Sequence, residues 1–239
     1  MKKIMKRRFL VAMLLVLTCC MAKAQEESPV GKFSVIPRIG VSIANMSGNS
    51  VYTADLSKEL KSKSKAGFMG GVDVEYRAAK DLAVGVGAYY SQQGYRYADF
   101  LTLYKEENDV KTYSGFHDYH TNLHYINVPL FVKGYLFDGF AVMAGLQAGF
   151  FLSGKAEGDE AEVIKDKNGS TTYKESKPME PVDFLGKSVE WSIPVGVSYE
   201  YMNVILDARY HFGLSRASKL DDDMKNKTFT ISVGYRFAL

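Results

Sequence analysis

Residues 227–239 read KTFTISVGYRFAL, and the reading of this stretch decides the fold. Phe229, Ile231, Val233, Tyr235, Phe237 and Leu239 form one row; Thr228, Thr230, Ser232, Gly234, Arg236 and Ala238 form the other. Successive strand side chains point to opposite faces, so one face is wholly apolar and the other polar or small. No proline or polar residue breaks the apolar row. A strand of a soluble sandwich alternates in the same way, so the rest of the chain has to separate the two.

The same period-two pattern recurs upstream, bounded by turn residues. Residues 33–43 place Phe33, Val35, Pro37, Ile39, Val41 and Ile43 on one row, with Arg38, Gly40 and Ser42 on the other. Pro37 has no N–H to give a ladder, which predicts a bulge or local irregularity there. Residues 68–77 and 82–91 alternate across a tight turn at 78–81, and residues 125–133 and 140–152 alternate across Asp138-Gly139. Residues 189–201 and 204–212 alternate across Met202-Asn203. Between these pairs lie polar stretches at 44–65, 94–121, 154–186 and 215–226, which the alternation leaves as loops. The pattern predicts eight strands of about 10–14 residues, joined by alternately long and short connections, as in a bilayer-spanning barrel. Soluble sandwiches have shorter strands and no such rhythm of loops. The outward rows carry aromatics near their ends, among them Tyr76, Tyr90, Trp191, Tyr201, Tyr210 and Tyr235, where interfacial girdles belong.

The front of the chain agrees. Residues 1–24 carry Lys2, Lys3, Lys6, Arg7 and Arg8, an apolar run over 9–17, and then Ala22-Lys23-Ala24. This predicts a secretory signal cleaved before Gln25, too short in its apolar part to span a bilayer as a helix. Cys19 and Cys20 raise a lipoprotein reading, but Thr18 and Cys19 precede them where Gly, Ala or Ser is usual. The chain has 30 Lys+Arg, 27 Asp+Glu and a formal net charge of +3. The signal takes six basic residues and no acidic one with it, so the remainder is acidic and gives no electrostatic footprint for nucleic acid. Both cysteines also leave, so no disulfide supports residues 25–239, read as one barrel domain.

Ser232-x-Gly234-x-x-Phe237-x-Leu239 resembles the C-terminal assembly signal of outer-membrane β-barrels. Tyr125-Ile126-Asn127-Val128-Pro129-Leu130-Phe131-Val132-Lys133, with the closing Gly234-Tyr235-Arg236-Phe237, is similar to the small outer-membrane β-barrel domain family of Bacteroidetes, often called PorT-like within the porin family. The resemblance implies an all-β, eight-stranded antiparallel up-and-down transmembrane barrel in the outer membrane, with short periplasmic turns and long external loops. It implies outer-membrane lipid, lipopolysaccharide and the barrel-assembly machinery as partners. It supplies no reaction, cofactor or catalytic residue.

Function must then be read from the lumen and loops. The polar rows hold Arg38, Arg77, Lys133, Arg209 and Arg236 against Asp73, Glu75, Glu190, Glu200 and Asp207. Eight strands leave room inside only for side chains, and buried charges must pair. This predicts a salt-bridged plug, with a narrow ion path as the alternative. Glu200 and Arg209 are expected to meet across the Met202-Asn203 turn. His117, His120 and His124, with Asp118, are dense enough to raise a metal, but match no zinc signature. His211 near Ser215 raises a lipid-modifying or proteolytic enzyme, which needs a third orienting group that the sequence does not supply. Asp221-Asp222-Asp223 reads as a solvated loop, with calcium or a divalent bridge to lipopolysaccharide as the alternative. Asp166-Lys167-Asn168-Gly169 reads as a hairpin turn. The expectation is therefore a non-enzymatic barrel without cofactor or metal, with a structural role or a binding role through external loops whose ligand is not specified. A channel, an enzyme or a soluble lipocalin-like barrel with inverted facing stands as the alternative.

Overall fold

A computed structural model describes residues 30–53, 59–107, 110–165, 171–219 and 223–239. Eight strands form a closed antiparallel ring: β1 (Phe33–Ser47), β2 (Lys63–Ala79), β3 (Leu82–Arg96), β4 (Val110–Phe137), β5 (Phe140–Lys165), β6 (Val189–Tyr201), β7 (Val204–Gly213) and β8 (Lys225–Tyr235). Each pairs with its successor and β8 pairs with β1, so the wall has no open edge. The expected up-and-down barrel is the observed fold. The expected signal at 1–24, the 166–169 turn, and Asp221 and Asp222 lie outside the described residues.

The alternation sets the facing. On β4, Leu130 is 65 % exposed and Phe131 1 %. The same contrast runs round the ring: Ile39, Val41, Leu146, Leu206 and Val233 lie outside, while Arg38, Asp73, Glu75, Lys133, Asp207 and Arg209 lie buried inside. A wall apolar outside and charged inside is inverted relative to a soluble barrel, which overturns the lipocalin-like alternative. Phe237 departs from its row: it is buried, with its ring 4.8 Å from that of Tyr235.

The short turns fall where expected, at Lys80-Asp81, Asp138-Gly139 and Met202-Asn203. Met202 and Asn203 both take positive φ, 47° and 66°, the conformation whose twist matches a two-residue hairpin. Both described ends of the chain lie beside these turns, and the Leu239 N–H donates to the Phe33 carbonyl at 2.9 Å.

Pro37 does not produce the expected bulge. The β1–β8 ladder lapses after Arg38↔Gly234 and resumes at Val35↔Phe237 in unchanged register. Pro129 and Pro194 act alike: the β3–β4 ladder skips from Val86↔Leu130 to Tyr89↔Asn127, and the β5–β6 ladder from Ser192↔Gln147 to Val195↔Ala144. Each proline keeps its place in the ladder on its other side. A missing N–H removes rungs on one side only; inserting a residue would have shifted the register.

Strand lengths depart further. β4 has 28 residues and β5 has 26, so much of 94–121 and 154–186 is strand and not loop. Phe100–Glu107 folds back onto β4. Thr171–Tyr173, Lys177–Pro178 and Val182–Asp183 pair with β5, the first opposite Val163–Lys165. Beyond the apolar belt neither sheet face must be hydrophobic, so period-two contrast fades while the ladder continues. The result is a sheet that rises past the wall at the end opposite the short turns. A small hairpin, Ser50–Tyr52 with Glu59–Lys61, stands beside it.

Candidate functional site

The lumen is filled from the short-turn end by charged side chains on β1, β2, β4, β6, β7 and the residue after β8. Arg38 Nε donates to Asp73 Oδ2 at 2.8 Å. Arg209 Nη2 reaches the same oxygen at 3.0 Å, and its Nε meets Asp207 Oδ1 at 2.7 Å. Arg38 Nη1 stands 3.5 Å from Asp207 Oδ2, and its Nη2 4.0 Å from Glu75 Oε1. Glu75 also accepts from Lys133 and, at 3.1 Å, from Arg236. Arg236 Nε holds Glu200 at 2.8 Å. Four cations and four carboxylates thus form one connected group. Removing such charges from water costs several kcal/mol each, and only pairing and hydrogen bonds offset it. The rings of Tyr89 and Phe131 pack 5.6 and 5.3 Å from the Arg209 guanidinium carbon.

The expected Glu200–Arg209 contact does not form. Glu200 lies opposite Ile205, while Arg209 lies opposite Gly196, two inward positions deeper. A turn of only two residues makes the register tight, so Glu200 reaches past Ile205 to Arg236 and Arg209 pairs with Asp207 on its own strand. Two further residues expected in the network stand apart. Arg77 lies at the short-turn mouth, stacked 3.5 Å over the Tyr135 ring, and donates to the Lys80 carbonyl at 2.7 Å. Glu190 sits at the other end and accepts from the Tyr125 hydroxyl.

The expected assembly-signal residues have structural duties. Ser232 is buried in the lumen and Leu239 is exposed. A Cβ on Gly234 would stand 2.8 Å from Arg38 Cγ, so the glycine makes room for the arginine stem.

Beyond the charges lies a polar chamber. Gln93, Asn127, Gln147, His211 and Thr228 line both of two cavities, each of about 20 Å³, the size of one water site. An aromatic cap covers the chamber. Tyr95, Tyr97, Phe100, Leu123, Tyr125 and Met46 are its buried members, and Tyr97, Phe100, Phe116 and Tyr119 are in mutual ring contact at 5.0–6.1 Å. The Tyr97 hydroxyl donates to Asn49 at 2.6 Å. Burial pushes the Tyr97 and Tyr119 hydroxyls above the ordinary phenol range, and Tyr95 adds to it, so the cap stays uncharged. The sequence shows 94–121 as Tyr-rich, but nothing in it announces that these rings converge. Tyr89 and Phe131 are equally silent in the sequence, since nothing in their rows announces that they meet the Arg209 guanidinium.

The histidines are dispersed. His117 is 3.6 Å from Asp99, His120 3.8 Å from Glu157, and His124 Nδ1 2.7 Å from the Tyr90 hydroxyl on the outer wall. Among the described residues no group of three or more His, Cys, Asp or Glu is placed to hold a metal ion. His211 points into the lumen beside Thr230 at 3.4 Å, while Ser215 Oγ accepts the Trp191 N–H at 2.7 Å, so the two do not form a pair.

No curated protein matches the sequence. Among solved structures the chain is similar to Ail, the attachment invasion locus protein of Yersinia pestis, solved in complex with the heparin analogue sucrose octasulfate: 18% identity, 86% of this chain and 99% of that one, TM-score 0.45. Neisserial surface protein A matches at 18% identity over 85% and 96% of the chains, TM-score 0.38. OprG from Pseudomonas aeruginosa matches at 13% over 89% and 99%, TM-score 0.41. The model of the outer membrane protein β-barrel domain matches residues 23–219. This is an outer-membrane protein, and the chain belongs to the outer membrane protein β-barrel domain family.

Proposed function

We propose that the protein is a sealed, non-enzymatic barrel that serves as an outer-membrane platform, with the external sheet as its binding element. The observation that carries this reading is the contrast between its two parts. The lumen holds eight interlocked charges and an aromatic lid with room for single waters. The rising parts of β4 and β5, by contrast, extend well beyond what a bilayer crossing needs, since about 9–11 residues suffice. A channel would need an open path, and an enzyme would need converging nucleophile, base and orienting group. The finer placement is the PorT-like subgroup of Bacteroidetes, supported by the run from Tyr125 to Lys133. Residues 1–24 act as a cleaved signal, outer-membrane lipid and lipopolysaccharide surround the wall, and the barrel-assembly machinery inserts it.

The test is complementation of a deletion strain. A barrel in which residues 97–119 and 155–187 are replaced by short turns should still insert, yet fail to restore the phenotype that the full chain restores. The lipid profile of the deletion strain should equal that of the parent. Full rescue by the trimmed barrel would leave a purely structural wall, and an altered lipid profile would favour the enzyme reading.

A further inference from the structure

At the external end of three strands, β8, β2 and β3, exposed basic residues follow just beyond the apolar belt. On β8 the outward row runs from Phe229 to Lys227 and Lys225, and on β3 from Tyr90 and Gln92 to Arg96; on β2 the outward row carries Phe68 and Ala66, and a register shift between Ser64 and Met69 then sets the exposed Lys63 opposite Arg96. β1, between β8 and β2, places Asn45 and Ser47 opposite Lys227 and Lys225. All four cations are exposed. Among the described residues none of them takes part in an ion pair. Lys63 and Arg96 are direct cross-strand partners, with His120 next in the same row. Like charges set opposite each other weaken a sheet, and no described side chain offsets this pair. Glu59 and Asp223 lie farther out along the chain; Glu157 on β5 pairs with His120 at the far end of this row, two strands from Arg96, and Asp159, Glu160 and Glu162 lie farther along β5.

We propose that this arc seats the phosphorylated head group of an outer-leaflet glycolipid, whose acyl chains lie on Phe229, Ile43 and Phe68 below. The proposal rests on the reading of the outward rows as lipid-facing. Lys227 stands two residues past Phe229, about 7 Å along the strand. A ligand that meets both the cations and the apolar belt beneath must be anionic at one end and apolar at the other. Phosphate oxygens accept charge-assisted hydrogen bonds from Lys and Arg and screen the Lys63–Arg96 repulsion from outside.

The experiment measures binding of bis-phosphorylated lipid A and of its dephosphorylated form to the full protein in detergent micelles. It compares wild type with the variant Lys63→Gln/Arg96→Gln/Lys225→Gln/Lys227→Gln. One cation at an anionic lipid surface is worth about five-fold in affinity. The wild type should therefore prefer the phosphorylated lipid at least ten-fold, and the variant should lose that preference. Inorganic phosphate at the same concentration should not compete. Equal binding of the two lipids by wild type, an unchanged preference in the variant, or displacement by inorganic phosphate would overturn the site. Heat-dependent migration on SDS gels is read alongside: its absence from the wild type would sink the lipid-facing wall itself. If the fourfold variant loses it, Lys225→Gln/Lys227→Gln alone carries the comparison, with the same outcomes.

Discussion

Glu75 shows how single side chains hold the lumen together. It lies fully inside on β2, accepts from Lys133 and Arg236, and stands 4.0 Å from Arg38. Residues with opposite charge were legible as a balanced set, because parity assigns each to the inner face. Their partners were not, because partnership depends on register and reach. Glu200 is the instructive case: a shift of a few positions decides between Arg209 and Arg236. Two double-mutant cycles test the observed choice by urea unfolding in micelles. Glu200→Ala with Arg236→Ala should be non-additive by about 0.5–3 kcal/mol, as for residues in one network. Glu200→Ala with Arg209→Ala should couple less than that pair does, because Arg236, Glu75, Arg38 and Asp73 stand between them. The reverse pattern would mean that the β6–β7 register is wrong.

Strands were legible wherever a lipid-facing row had to be apolar, and turns wherever two residues joined such rows. Strand ends were not, because the ladder outlasts the hydrophobic pattern on β4 and β5. The prolines were legible as irregularities, but their form was not: each removes rungs without moving the register. On β6, Val195 faces out at the middle of the strand and Ser198 faces in beside Asp207. Val195→Arg should cost about 2–4 kcal/mol near the bilayer midplane, seen as a lowered urea midpoint or lost assembly. Wild-type behaviour of that variant would contradict the facing. The turn between β6 and β7 gives the opposite sign. Met202 holds a left-handed conformation without being glycine or asparagine, a strain of about 1–2 kcal/mol. Met202→Asn/Asn203→Gly should raise the unfolding midpoint by relieving part of it, whereas a lowered midpoint would show that the Met202 side chain has a stabilising role of its own.

Taken whole, the molecule inverts the usual order of a globular protein: its apolar surface is outside, its interior is ionic, and its cohesion comes from a closed hydrogen-bonded ring. Closure at both levels matters. β8 returns to β1 and removes the sheet edge, while in the proposed reading the charge group and the aromatic cap close the middle. The barrel class was readable from alternation and loop rhythm; the cap was not, since its rings come from residues 95–119 and from β4, β5 and the following segment, brought together only by the fold. The most direct test of this account is the conductance of purified, heat-modifiable protein inserted in a planar bilayer. A sealed barrel predicts a membrane current that stays at the protein-free baseline, with no stepwise events. Discrete conductance steps from the same inserted protein would contradict it.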